Sequence, residues 1–178
     1  MTLPITDRLE MIEGVFDVDI SVDHDGWRNV VPGLEMTVRL AAEAALRACG
    51  YEAAKAELSV LMTDNRTIAD LNENWRGKSG PTNVLSFSGE LGGPGPALLG
   101  DIVLAIEIVT AEAKAGGISV SDHVAHLVVH GVLHLLGHDH QTDSNADIME
   151  GLETKILATL GVSDPYVVGR NALSGIST

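Results

Sequence analysis

The stretch His130-Gly131-Val132-Leu133-His134, continued by Leu135-Leu136-Gly137-His138-Asp139-His140, joins a helical apolar pattern to the chemistry of a metal ligand set. His130 and His134 are four residues apart, so on a helix they project from one face, one turn apart. Gly137 offers a point where the helix can end and the chain reverse, and His140 follows closely enough to return to the same place. Three neutral imidazoles meeting this way leave a position open on the metal, as a catalytic zinc site requires. The spacing H-x3-H-x5-H, with a helix-stopping glycine between its second and third members, therefore predicts one zinc-type ion held by His130, His134 and His140. His138 is an alternative third ligand, but one residue past the glycine it is expected to turn outward. Six of the seven histidines lie between His123 and His140. His123 and His126 share the helical face of His130, and both a place beside the site and a hydrogen-bonded structural role are open to them.

The chain has 178 residues, 45% of them hydrophobic but only 3% aromatic, so aliphatic side chains and alanine must fill its core. No apolar run is long enough to cross a bilayer. The first residues, Met1 to Glu13, carry acids and lack the basic-then-apolar order of a signal peptide. One cysteine, Cys49, excludes an internal disulfide and a thiolate zinc site, and its alanine-rich setting predicts a buried structural thiol. Together these features point to the cytoplasm. A formal net charge of -14 opposes nonspecific nucleic-acid binding by the whole surface. A local exception is the stretch containing Arg66, Arg76 and Lys78.

Alternation predicts a strand over Val15 to Val22, and further strands are expected over Glu57 to Met62, over the apolar-rich Asn83 to Ser88 and, long and β-branched, over Ile102 to Val109. Helical spacing is expected over Pro32 to Cys49, Val120 to Leu136 and Asp143 to Leu160. Thr63 or Asp64 can cap a further short helix that carries Ile68, Leu71 and Trp75. Gly89 to Gly100 holds five glycines and two prolines and reads as a flexible loop, and fraying is expected after Pro165. No repeat or linker divides the chain. The expectation is a single α+β domain over residues 1–178, its core about 15–166, with the histidine helix packed on a small mixed sheet.

The ligand spacing with its glycine resembles the metzincin proteases. Those enzymes carry Glu directly after the first histidine as the base that activates water, and here Gly131 stands in that place. The full string instead resembles the YbeY endoribonuclease family, whose signature is H-G-x-L-H-L-x-G-Y-D-H. Further likeness lies in Leu71-Asn72, Trp75-Arg76-Gly77-Lys78, Pro81-Thr82-Asn83-Val84-Leu85-Ser86-Phe87, Leu99-Gly100-Asp101-Ile102, Met149 with Glu153, Leu160-Gly161 and Asp164-Pro165-Tyr166. The resemblance runs from about Val15 to Tyr166. It departs at His138, where the family has Tyr, and at Asn83, where its P-T-D-V-L-S-F block has Asp. Trp75 also stands where Tyr is common, and Ser79-Gly80 replaces a more charged pair.

This resemblance implies a zincin-like α+β fold and a zinc-dependent endonuclease for single-stranded RNA. It further implies action in ribosomal RNA processing, at the 3′ end of small-subunit rRNA, and in ribosome quality control. The implied partners are the small ribosomal subunit, a ribosomal protein and a ribosome-associated GTPase. Arg76 is then the residue expected to pair with the phosphate and offset charge in the transition state. The general base is open among a zinc-bound hydroxide, the ribose 2′-hydroxyl route, His126 and His138. Two other readings stand beside it: a metzincin-like protease, and a zinc-stabilised ribosome-assembly factor without catalysis. A three-ligand site opposes the second, because structural zinc sites are normally closed by four protein ligands.

Overall fold

The computed structural model describes residues 16–51, 56–89 and 97–167. Strand β1 (Phe16–Val22) runs parallel to β2 (Ala56–Thr63), which runs parallel to β4 (Ala97–Ala105). β3 (Val84–Ser88) pairs antiparallel with β4, giving the sheet order β1-β2-β4-β3. Alternation sorts the two faces. In β1, Phe16 and Val18 are buried while Asp17 and Asp19 are exposed.

The inner face packs against α2 (Leu34–Ala48) and the histidine helix α5 (Val120–Leu135). Ala41, Ala42 and Ala45 on α2 are fully buried, and such small side chains let helices approach closely. Short helix α1 (Gly26–Val30) precedes α2 and was not anticipated from periodicity. It seats Trp27, fully buried, whose indole N–H donates to the Thr63 carbonyl at 2.9 Å. On the outer face, α3 (Asn65–Arg76) lays Ile68 and Leu71 against Leu61, Leu85, Val103 and Phe87. Asp64 caps α3 by accepting from the Thr67 amide, as its sequence position predicts.

Two expectations fail here. The β-branched run Ile102 to Val109 is not one strand. β4 stops at Ala105, and α4 (Ile106–Gly116) begins at the next residue. Ile106, Val109 and Ala113 fall at helical spacing and are buried, so tertiary burial overrides the strand propensity of this stretch. The Thr110 hydroxyl also donates back to the Ile106 carbonyl, a bond suited to a helix. The glycine-rich stretch is likewise shorter than expected: Ala97 to Gly100 already belong to β4, while residues 90–96 lie outside the described residues. The other elements match to within two residues, Val15 lying outside the described residues. α6 (Asp143–Thr159) is capped by Thr142. Tyr166 does not fray, since its hydroxyl donates to Glu153; residues 168–178 lie outside the described residues.

Candidate metal centre

α5 supplies two of the three clustered histidines, and its C-terminal turn supplies the third. Leu135 is its last residue, and Gly137 then takes φ +89, a left-handed conformation that glycine adopts without a Cβ penalty. The His138 amide donates to the Leu133 carbonyl and the Gly137 amide to that of His134, both at 3.0 Å, closing a Schellman motif. This reversal brings His140 back to the helix. Its ring centroid lies 5.0 Å from that of His134 and 5.7 Å from that of His130. Each of the three rings presents a nitrogen within 4.8 Å of the others, so the cluster can hold a metal ion.

The surrounding bonds orient the rings. His130 Nδ1 lies 2.6 Å from Glu153 Oε1, and His134 Nδ1 lies 3.0 Å from the His138 carbonyl oxygen. A carboxylate and a carbonyl only accept, so both Nδ1 atoms carry the proton when the rings are neutral. The two Nε2 atoms are then bare lone pairs facing one another at 3.0 Å. Such a pair repels unless a cation lies between, and tetrahedral nitrogen ligands of zinc are separated by about 3.4 Å. The donor set fits a metal of that kind. Burial, then the neighbouring His130 and His140, push the His134 pKa below the ordinary histidine value, which keeps it in the ligating form.

Glu153, which shares in the family likeness at Met149 and Glu153, anchors the cluster. It is fully buried on α6 and serves His130 with one oxygen and His126, at 3.3 Å, with the other. The Tyr166 hydroxyl donates to that second oxygen. Burial alone would raise its pKa, but hydrogen bonds from His126, His130 and Tyr166 outweigh burial and hold the carboxyl at about 2. Burial and Glu153 in turn push the Tyr166 phenol well above its usual range. A sequence signal existed: Met149, Glu153, Ile156 and Leu157 form the buried stripe of α6, and a charge inside such a stripe needs partners.

Arg76, the last residue of α3, lines the same cavity as His130, His134 and His140, a space of about 410 Å³. Gly77, at φ +63, ends α3 there, and the Asn72 side chain donates to the Gly80 carbonyl at 2.9 Å, tying down the segment after it. Asn83 lines the cavity too, but its amide is engaged. Nδ2 donates to the Glu112 carboxylate (3.0 Å) and Oδ1 accepts from the Val84 amide (2.7 Å).

His138 is outside the cluster and contributes only its carbonyl. His123 bonds Glu112 at 2.7 Å, while His126 reaches the cluster through Glu153 and through its ring, set edge-on to that of His130 at 6.3 Å between centroids. Lys78 is exposed, and Cys49 is half-buried, with burial pushing its thiol pKa up. A Cβ at Gly131 would lie 2.9 to 3.2 Å from three atoms of the buried Ile102 side chain, which would have to shift to admit any side chain there.

These features define a class: an α+β protein whose core helix carries a three-histidine metal-type cluster beside an arginine. The family described as Endoribonuclease YbeY matches residues 26–161, and the chain belongs to that family. Among its relatives, the Endoribonuclease YbeY of Paramagnetospirillum magneticum is 44% identical over 156 residues, covering 84% of this chain and 95% of that protein. That of Azorhizobium caulinodans is 46% identical over 155 residues, covering 85% and 97%. The solution structure of TM1509 from Thermotoga maritima shares the fold, with a TM-score of 0.56 at 24% identity over 90% of this chain and 96% of that one. No helix among the described residues is long and apolar enough to cross a membrane.

Proposed function

We propose that this chain is a metal-dependent endoribonuclease that cuts single-stranded RNA, with zinc as its ion. The observation that carries the reading is the meeting of His130, His134, His140 and Arg76 around one cavity. His130, His134 and His140 would hold the ion. Bound there, zinc would supply a Lewis acid for the phosphoryl oxygen and lower the pKa of water to about 7. Arg76, which lines the same cavity, would pair with the phosphate in a planar, bidentate manner and offset the charge that grows in the transition state. Glu153 and the His138 carbonyl hold two of the rings in the tautomer that exposes Nε2.

Peptide hydrolysis is disfavoured by the same geometry. Ile102 fills the space that a residue larger than Gly131 would need, and no carboxylate lines the cavity among the described residues. The named activity of the relatives agrees with an RNA substrate. We assign the chain to maturation of the 3′ end of small-subunit ribosomal RNA and to ribosome quality control in the cytoplasm, with a ribosomal protein and a ribosome-associated GTPase as partners. Such partners would deliver RNA to a protein whose net charge of -14 would weaken its binding of naked RNA.

The test incubates metal-loaded protein with unstructured RNA, duplex RNA, ribosomal subunits and casein, with His134→Ala as the control for contaminating nuclease. Cutting of unstructured RNA and of subunits, lost in the control, is expected. Casein digestion that depends on His134, with every RNA intact, would overturn the reading.

A further inference from the structure

β3 is an edge strand and also one wall of the histidine cavity. We infer that its free backbone edge, at Ser86 and Ser88, is a subsite for the nucleotides that flank the scissile phosphate of single-stranded RNA. This rests on the endoribonuclease reading above.

The ladder fixes which groups are free. The Ala105 amide donates to the Asn83 carbonyl, and the Gly89 amide to that of Leu99, so the odd-numbered positions of this strand face β4. Alternation then turns the N–H and C=O of Val84, Ser86 and Ser88 away from the sheet. The Val84 amide is already taken by Asn83 Oδ1. The Ser86 and Ser88 amides, about 7 Å apart along the strand, form no hydrogen bond among the described residues outside the sheet. Their side chains line the cavity with Arg76, and Ser86 Oγ donates to the Gly131 carbonyl at 3.4 Å, tying the strand to α5.

Edge strands are normally blunted by charge or proline. The other edge, β1, follows that rule, with Asp17 and Asp19 exposed. β3 reads Val84-Leu85-Ser86-Phe87-Ser88, with neither charge nor proline. Substrate lying on β3 would account for an edge left open beside the reaction cavity. Base edges and the 2′-hydroxyl both donate and accept, which matches the alternating N–H and C=O of a peptide edge. An extended peptide could pair there too. Arg76 at the cavity, and the missing acid at Gly131, favour RNA.

Hydrogen exchange on the metal-loaded full chain tests this, with a short single-stranded phosphorothioate oligoribonucleotide, its 2′-hydroxyls intact, as the probe. The Ser86 and Ser88 amides should slow at least about tenfold on binding, while those of Leu85 and Phe87, already in the ladder, stay as they were. In parallel, Ser86→Pro (with Ser86→Ala as the control for its lost Oγ bond to Gly131) and Ser88→Pro each remove one outward N–H without a ladder bond, a change an edge strand tolerates. Each should raise KM for unstructured RNA about 3- to 10-fold, the loss of one net hydrogen bond, with kcat within about twofold and metal content unchanged. If the proline variants fail to fold, exchange on the unaltered chain decides. RNA cleaved and bound with no protection at Ser86 and Ser88 would remove the subsite and leave the nuclease reading intact. Absence of any RNA binding or cleavage would remove both, and protection by an extended peptide but not by RNA would assign the edge to a different ligand.

Discussion

Replacing Glu153 by Gln keeps its size and removes its charge at the point where the histidine cluster is anchored. The carboxylate serves three groups at once: His130 Nδ1 through one oxygen, and His126 Nε2 and the Tyr166 hydroxyl through the other. An amide has one accepting oxygen, so if it keeps His130, its NH2 must face groups that now donate. Tyr166 and His126 can both reverse roles, so the variant should fold. What is lost is the charge assistance on the His130 bond: a bond to a charged group contributes about 1.5–3 kcal/mol, a neutral one about 0.5–1.5. The difference, on the order of 1–2 kcal/mol, makes His130 a weaker base, and groups of this kind change metal affinity about 10- to 100-fold. Competition titration of the metal-free protein with zinc and a chromophoric chelator reads that affinity directly. Glu153→Ala should cost more, about 3 kcal/mol of folding stability, because three part-buried groups lose their shared partner together. Zinc affinity unchanged within twofold in a folded Glu153→Gln protein would refute the claim that Glu153 orients and strengthens the site.

Arg76→Ala should fold, keep its metal and lose about a hundredfold in cleavage rate, equivalent to on the order of 3 kcal/mol of transition-state stabilisation; parental cleavage would return Arg76 to the role of a surface charge. Gly131→Glu should yield no peptidase and little folded protein, because even a Cβ there meets Ile102 at 2.9 Å, and Gly131→Ala should lower stability by about 1 kcal/mol in denaturant titration once its gain in helix propensity is offset. Metal-free protein should lose stability as pH falls through about 6.5: the His134 pKa lies below that value in the fold, so the unfolded chain takes up the proton first. The depressed Glu153 acts lower, its contribution present above about 4.5 and lost toward about 2, so melting curves between pH 7.5 and 5.5 isolate the histidine.

The convergence of His130, His134 and His140 was legible because its geometry is local. Two histidines one helical turn apart, a glycine that reverses the chain, and a third histidine three residues on need no distant partner to converge. Arg76 was legible as the end of a helix in a locally basic stretch, although its arrival at the cavity depends on how α3 lies against the sheet. Glu153 is a different case, since its bond to His130 spans two helices and no spacing rule reaches across that distance. The run from Ile102 to Val109 misled because β-branched residues fit both a buried strand and the buried face of a helix. The break at Ala105 comes from tertiary packing, not from any turn residue. The free edge of β3 was hidden for the same reason: which strand lies outermost is a property of sheet order, not of Val84 to Ser88 themselves.

The most direct measurement of the central claim is metal content read together with RNA cleavage in single-alanine variants of His130, His134, His138 and His140. One ion per folded chain is expected in the parent and in His138→Ala. Loss of the ion, and of cleavage with it, is expected in His130→Ala, His134→Ala and His140→Ala. Metal retained in His140→Ala and lost in His138→Ala would contradict the ligand set, and metal-stripped protein cutting single-stranded RNA at the parental rate would contradict the role given to the site.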